Sequence, residues 1–127
     1  MGKIQYDQMI MEEESKNQII DLEFFESRKQ IGEDFLEKLT SVFEEEAPKL
    51  VNKIKQASES SDLIELGHKL KGMCINVGAS KLSNMGKEIE SLARENKLDP
   101  IPQIVAGLDE VLKYTLSEME KTIINLK

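Results

Sequence analysis

The run Leu66-Gly67-His68-Lys69-Leu70-Lys71-Gly72-Met73-Cys74-Ile75-Asn76-Val77-Gly78, continued by Ala79-Ser80-Lys81-Leu82-Ser83-Asn84-Met85-Gly86, decides how the rest of the chain is read. At about 3.6 residues per turn, Leu63, Leu66, Leu70, Met73, Cys74 and Val77 fall on one stripe in steps of three and four. That spacing predicts an amphipathic helix with the stripe buried. Turning roughly 100° per residue carries His68, the only histidine in the chain, nearly opposite the stripe, so it should face water. Lys71 and Gly72 follow one turn on, and Ile64 precedes it by one turn. From His68 to Lys87 the chain holds four lysines (Lys69, Lys71, Lys81 and Lys87) and no acid. Against a formal net charge of -7, this predicts a locally basic field around the imidazole.

Working outward, Glu33 to about Ala57 keeps a helical period through Phe35, Leu36, Leu39, Val42, Phe43, Ala47, Leu50 and Ile54. Pro48 removes a backbone donor, and because the period continues past it a kink near Glu44 to Pro48 is expected, not a break. Glu44-Glu45-Glu46 reads as a solvated face. Ahead of this helix, Ile19 to Lys29 predicts a short helix across the end of a bundle, stopped near Gly32. Residues 1–18 read as an N-terminal arm or short helix. Beyond the polar turn Ser58 to Asp62, where Ser61 or Asp62 is placed to cap, the His68 helix should end at Gly78.

The next helix, from Ala79 or Ser80 to Asn96, should bury Leu82, Met85, Ile89, Leu92 and Ala93. A helical glycine costs about 1 kcal/mol relative to alanine, so Gly86 beside that stripe predicts a close crossing with the His68 helix. Leu98 to Pro102 is a connector. The last helix should run to about Leu126 through Ile104, Leu108, Val111, Leu112, Thr115, Met119 and Ile123. The architecture expected is all-α: an antiparallel up-and-down four-helix bundle with an additional short N-terminal helix, one domain over residues 19–127.

Composition agrees. In 127 residues, 39% are hydrophobic and only 5% aromatic, with no tryptophan, which suits a single core packed by aliphatic side chains. An acidic chain should repel nucleic acid and anionic membranes, leaving a protein as the expected partner. Cys74 is the only cysteine and lies on the apolar stripe, so it reads as a small core residue in a reducing compartment. No apolar run is long enough for a membrane span and no secretory pattern is visible. Met1-Gly2 lacks the serine or threonine of a myristoylation signal, since Tyr6 stands there. A cytoplasmic protein is expected.

His68-x-x-Lys71-Gly72, then Gly78-Ala79, Leu82, Gly86 and Ile89-Glu90 resemble the signature of histidine-containing phosphotransfer (HPt) domains, the carriers of multistep phosphorelays. Asp34-Phe35-Leu36, Phe43 and Ala47-Pro48 extend the resemblance upstream, so that it covers roughly Ile20 to Asn96. It implies that a receiver domain's aspartate, for example in a hybrid histidine kinase, passes its phosphoryl group to His68, which hands it to another receiver. It also implies a monomer with no cofactor of its own, magnesium being held in the partner receiver's acidic pocket. In some members a glutamine on the following helix assists the site. The register puts Glu90 there, and since a carboxylate cannot donate to a phosphoryl group, Lys87 is the better candidate on that helix.

The chemistry suits these residue types. An imidazole, with an ordinary pKa of about 6.5, is a nitrogen nucleophile that can attack an acyl phosphate and carry the phosphoryl as a phosphoramidate. It must project from a convex surface into another protein's pocket. Lys71 can place its ammonium beside the phosphoryl oxygens, with Lys69 adding a weaker field. Gly72 leaves room for the phosphoryl and the partner's loops. Ile64 and Ile75 flank His68 and suggest an apolar docking patch, unless neighbouring helices cover them. No nucleotide-binding glycine loop or kinase motif is present, so no autonomous kinase activity is expected. The alternatives are an adaptor that docks and inhibits a receiver or histidine kinase without carrying phosphate, a metal or haem bundle, and a plain structural bundle. The metal reading suffers from His68 pointing out while Cys74 points in.

Overall fold

The computed structural model describes residues 19–29 and 31–125; the expectations for residues 1–18 and for Leu126 lie outside these. Six helices account for the described chain: α1 Leu22–Arg28, α2 Glu33–Gln56, α3 Ser60–Ile75, α4 Ser80–Arg94, α5 Ile101–Ala106 and α6 Leu108–Asn125. No strand occurs among the described residues. Helices α3 and α4 share the most extensive interface, while α2 packs on α6 and α3, and α4 also meets α6. Between them lies one continuous apolar core that includes Leu36, Phe43, Val51, Ile54, Leu70, Cys74, Leu82, Ile89, Leu108 and Met119.

The helix boundaries follow local chemistry, and several differ from expectation. Ile19 and Ile20 precede α1 and are buried; the helix starts where the Asp21 carboxylate accepts from the Phe24 N–H at 3.1 Å. Gly32 does not stop this helix. It stands at the N-cap of α2 with φ +120°, a backbone region open chiefly to glycine. Helix α2 runs uninterrupted through Pro48. Its Phe35 and Val42, expected in the core, are exposed and line a shallow apolar groove with Leu39, Met73 and Val77, because α3 crosses α2 off their side.

Helix α3 begins at Ser60 with Glu59 as its N-cap and no side-chain cap bond, so neither Ser61 nor Asp62 caps it; both already lie inside the first turn. Its far end matches the expectation. Gly78 adopts φ +73°, and the Ala79 N–H reaches back to the Cys74 carbonyl at 2.8 Å, closing the helix in the left-handed manner. The Asp21 N–H donates to the Gly78 carbonyl at 2.7 Å, and the Phe24 ring lies where a Gly78 Cβ would be, which seats α1 on the α3–α4 turn.

Asn96, with φ +56°, closes α4 in the same way through a Lys97 N–H to Leu92 carbonyl bond of 2.8 Å. The expected last helix is two. Pro102 sits in the first turn of α5, where its missing N–H has no helical partner to lose, and the chain breaks at Gly107 before α6. Lys55 and Asp109 pair across α2 and α6.

Candidate functional site

The site is built on the α3–α4 crossing, and that crossing is set by two glycines. A Cβ on Gly86 would fall 2.8 Å from the Lys71 nitrogen and 2.9 Å from the Gly67 carbonyl oxygen; one on Gly67 would fall 2.9 Å from the Glu90 nitrogen and from the Gly86 oxygen. The backbones therefore touch, as Gly86 predicted. The sequence pattern does not single out Gly67, its counterpart on α3, although it directly precedes the histidine. The Ser83 hydroxyl is buried and donates to the Lys71 carbonyl at 3.1 Å, a second polar tie between the two helices.

His68 projects from α3 with 62% of its side chain exposed, as its place on the helical wheel requires. Its surroundings add an acid to the expected basic field. The carboxylate of Glu90, on α4 and only 8% exposed, lies 3.0 Å from His68 Nδ1 through Oε2. It also accepts from Lys71 Nζ at 3.1 Å through Oε1 and from the Arg94 guanidinium at 2.8 Å through Oε2. The Arg94 bond, with help from Lys71 and against the cost of burial, holds the Glu90 carboxyl down to about 2. Glu90 is thus ionised near neutrality and can only accept. The proton in its contact with His68 therefore sits on Nδ1, and in the neutral tautomer this contact selects the lone pair is on Nε2.

On the sequence alone Glu90 ranks below Lys87, because a carboxylate cannot donate to a phosphoryl group. The structure gives it a different place, against Nδ1 of the His68 ring. A signal was available: Glu90 stands four residues from both Gly86 and Arg94, hence on the crossing face and within reach of a cation on its own helix. What the linear pattern lacks is the pairing of that turn with the turn of α3 that carries His68 and Lys71.

The remaining candidates divide. Lys71 is largely covered and committed to Glu90, whereas Lys69 pairs at 3.2 Å with Glu65 on the exposed side of α3. Gly72 has open space where a Cβ would be, so internal packing does not require glycine there. Ile64 packs against the core and is only partly exposed, while Ile75 is 58% exposed. Lys87 is exposed on α4 and borders, with Lys71, Ile75, Ser83 and Asn84, a groove of about 390 Å³ running along the α3–α4 seam. Cys74 is fully buried and burial pushes its thiol up to about 12, which fits a core residue. Among the described residues no group of His, Cys, Asp and Glu could hold a metal ion, and no helix is long and apolar enough to cross a membrane.

The family model of the Hpt domain matches residues 38–122, and the chain belongs to this family. Its fold is similar to that of the histidine-containing phosphotransfer domain of ArcB from Escherichia coli, with a TM-score of 0.80 and 20% identity over 89% of this chain and 99% of that one. At that identity the likeness is one of fold. No curated protein matches the sequence. Membership of the family implies histidine phosphotransfer in a phosphorelay, and domains of this kind interact with response-regulator receiver domains.

Proposed function

We propose that this protein is a phosphocarrier that accepts a phosphoryl group from a receiver-domain aspartate onto His68 and passes it to a second receiver. The observation that carries the reading is the state of the imidazole: exposed, with Nδ1 engaged by an ionised carboxylate and Nε2 left as the nucleophilic nitrogen. Nε2 attacks the acyl phosphate held in the receiver's magnesium-bearing pocket, and the electron pair of the breaking O–P bond returns to the aspartate. Lys71 extends an ammonium with donors to spare beyond Glu90, and these meet the phosphoryl oxygens. The open space at Gly72 admits the partner's loops. Ile75, with the exposed part of Ile64, supplies apolar docking area, and Lys69 and Lys87 lend positive charge to the rim.

The pairwise packing of α2, α3, α4 and α6 supports an antiparallel up-and-down four-helix bundle, with α1 as the additional short helix and the described residues as one HPt-like unit. The protein acts as a cytoplasmic monomer between receivers and does not phosphorylate itself from nucleotide. The adaptor reading uses the same face, and one experiment separates the two. Phosphorylated receivers are mixed with wild type and with His68→Gln. Label found only on wild type, lost in acid and kept in alkali, supports the carrier. If a receiver binds both forms equally and transfers to neither, the protein is an adaptor.

A further inference from the structure

We propose that Glu90 keeps a proton on His68 Nδ1 through the whole transfer cycle, so that the loaded protein carries a phosphoimidazolium whose leaving group departs as neutral imidazole. This rests on the carrier reading above and deepens it. The geometry is specific: Oε2 lies 3.0 Å from Nδ1 on a carboxylate that is itself fixed from two other sides, by Lys71 from α3 and by Arg94 from α4. These are the charged groups with a bond to Glu90 among the described residues, and the nearby acid Glu65 is turned to Lys69.

The consequence follows from hydrogen-bond chemistry. With a phosphoryl group on Nε2, a neutral ring would present the Nδ1 lone pair to the carboxylate oxygen. Two acceptors would then face each other across the 3.0 Å contact, with the carboxylate covered and unable to turn to water, an arrangement that costs its desolvation without a bond. Protonation of Nδ1 turns the clash into a charge-assisted hydrogen bond. In the discharge step the N–P bond breaks and its electron pair stays on Nε2. The phosphoryl forms a new bond to a carboxylate oxygen of the acceptor aspartate, and the Nδ1 proton does not move. Loading is the same step reversed, so neither direction waits for a proton. An uncharged amide at this position would tolerate either ring state, by turning its oxygen or its nitrogen to Nδ1, and would lose this bias. Glu90 is on this view a positioning residue, since it touches His68 and not the phosphoryl group.

Because His68 is the only histidine, a full chain labelled with ¹⁵N-histidine gives one pair of ring signals. Potassium phosphoramidate, a chemical phosphoryl donor, loads the ring without a partner protein. At about pH 8 the wild-type phosphoprotein should keep its Nδ1–H signal while Glu90→Gln has largely lost it, and wild type should discharge to a receiver roughly tenfold faster, the two converging near pH 6. Equal Nδ1 protonation in the two phosphoproteins across that range overturns the proposal.

If the variant does not fold, wild type is compared with a phosphorylated peptide of residues 64–72, and equal protonation there overturns it as well. If phosphoramidate does not load the ring, the unphosphorylated protein decides: a neutral ring protonated mainly on Nε2 overturns the proposal, and one protonated on Nδ1 supports it. Loading by phosphoramidate but by no phosphorylated receiver would refute the carrier reading, while the Nδ1 comparison still judges this one.

Discussion

The two halves of the core are held together by different means. Where α2 meets α6, side chains fill the space: Leu36, Phe43, Leu112, Met119 and Ile123 are all buried there or nearby. Where α3 meets α4, the backbones touch at Gly67 and Gly86, and the buried side chains include Ser83 and Glu90. The first kind of contact tolerates rearrangement, because aliphatic side chains can shift to refill space. The second cannot shift without parting the helices, and so it holds a histidine on one helix at a set distance from a carboxylate on the other. The contrast teaches that an exposed histidine is given its fixed setting by the seam behind it, not by a pocket around it.

The comparison can be broken from either side. The largest effect is expected from Met119→Ala in the side-chain-packed half, which leaves a cavity and should cost about 2–5 kcal/mol in urea unfolding, with phosphoryl transfer unchanged wherever the protein remains folded. Gly86→Ala in the other half adds only one methyl group, yet it should cost about 1–3 kcal/mol and should also reduce transfer, since it moves Glu90 and Lys71 relative to His68. An unfolding midpoint equal to wild type would mean that the crossing is not as tight as the distances indicate.

Acid should separate the halves next. The Glu90 carboxyl is held down from its ordinary value of 4.5 to about 2, first by Arg94. A depressed carboxyl contributes stability that is fully present above the unfolded value and is lost as pH falls through the folded one. Stability should therefore drop between about pH 4.5 and 2. The shift is equivalent to at most about 3 kcal/mol, reduced to roughly 2 because the Arg94 side chain is mostly in water and is screened. Glu90→Gln should lack this share of the acid limb; an identical pH profile for both proteins would sink the assignment. The smallest effect on stability belongs to Gly72→Ala. With open space at that position it should change stability by less than about 1 kcal/mol, towards the more stable side by helix propensity, while phosphoryl transfer falls because the methyl group intrudes on the partner.

Much of this was legible in the sequence. Leu63, Leu70, Cys74 and Val77 are buried as their spacing required, His68 is exposed, Gly86 marks a close crossing, and Gly78 closes α3. All of these depend on period and on backbone permissiveness, which are properties of neighbouring residues. The misreadings share a different origin. Phe35 and Val42 keep the helical period but fall outside the face that α3 covers. The connector expected over Leu98 to Pro102 gives up its last two residues to α5, because a proline is compatible with the first turn of a helix. The charge count around His68 missed Glu90, which lies 22 residues away along the chain and 3.0 Å away in space.

The sequence by itself determined an all-helical chain, the stripe that each long helix buries and the one histidine that faces water, because a 3.6-residue period and the rarity of the residue settle these locally. Only the tertiary structure decided what stands behind that histidine. Which turn of α4 lies against which turn of α3 is set by two glycines removing side chains on opposite helices at the same point, and contact across a crossing cannot be computed from the period of either helix alone.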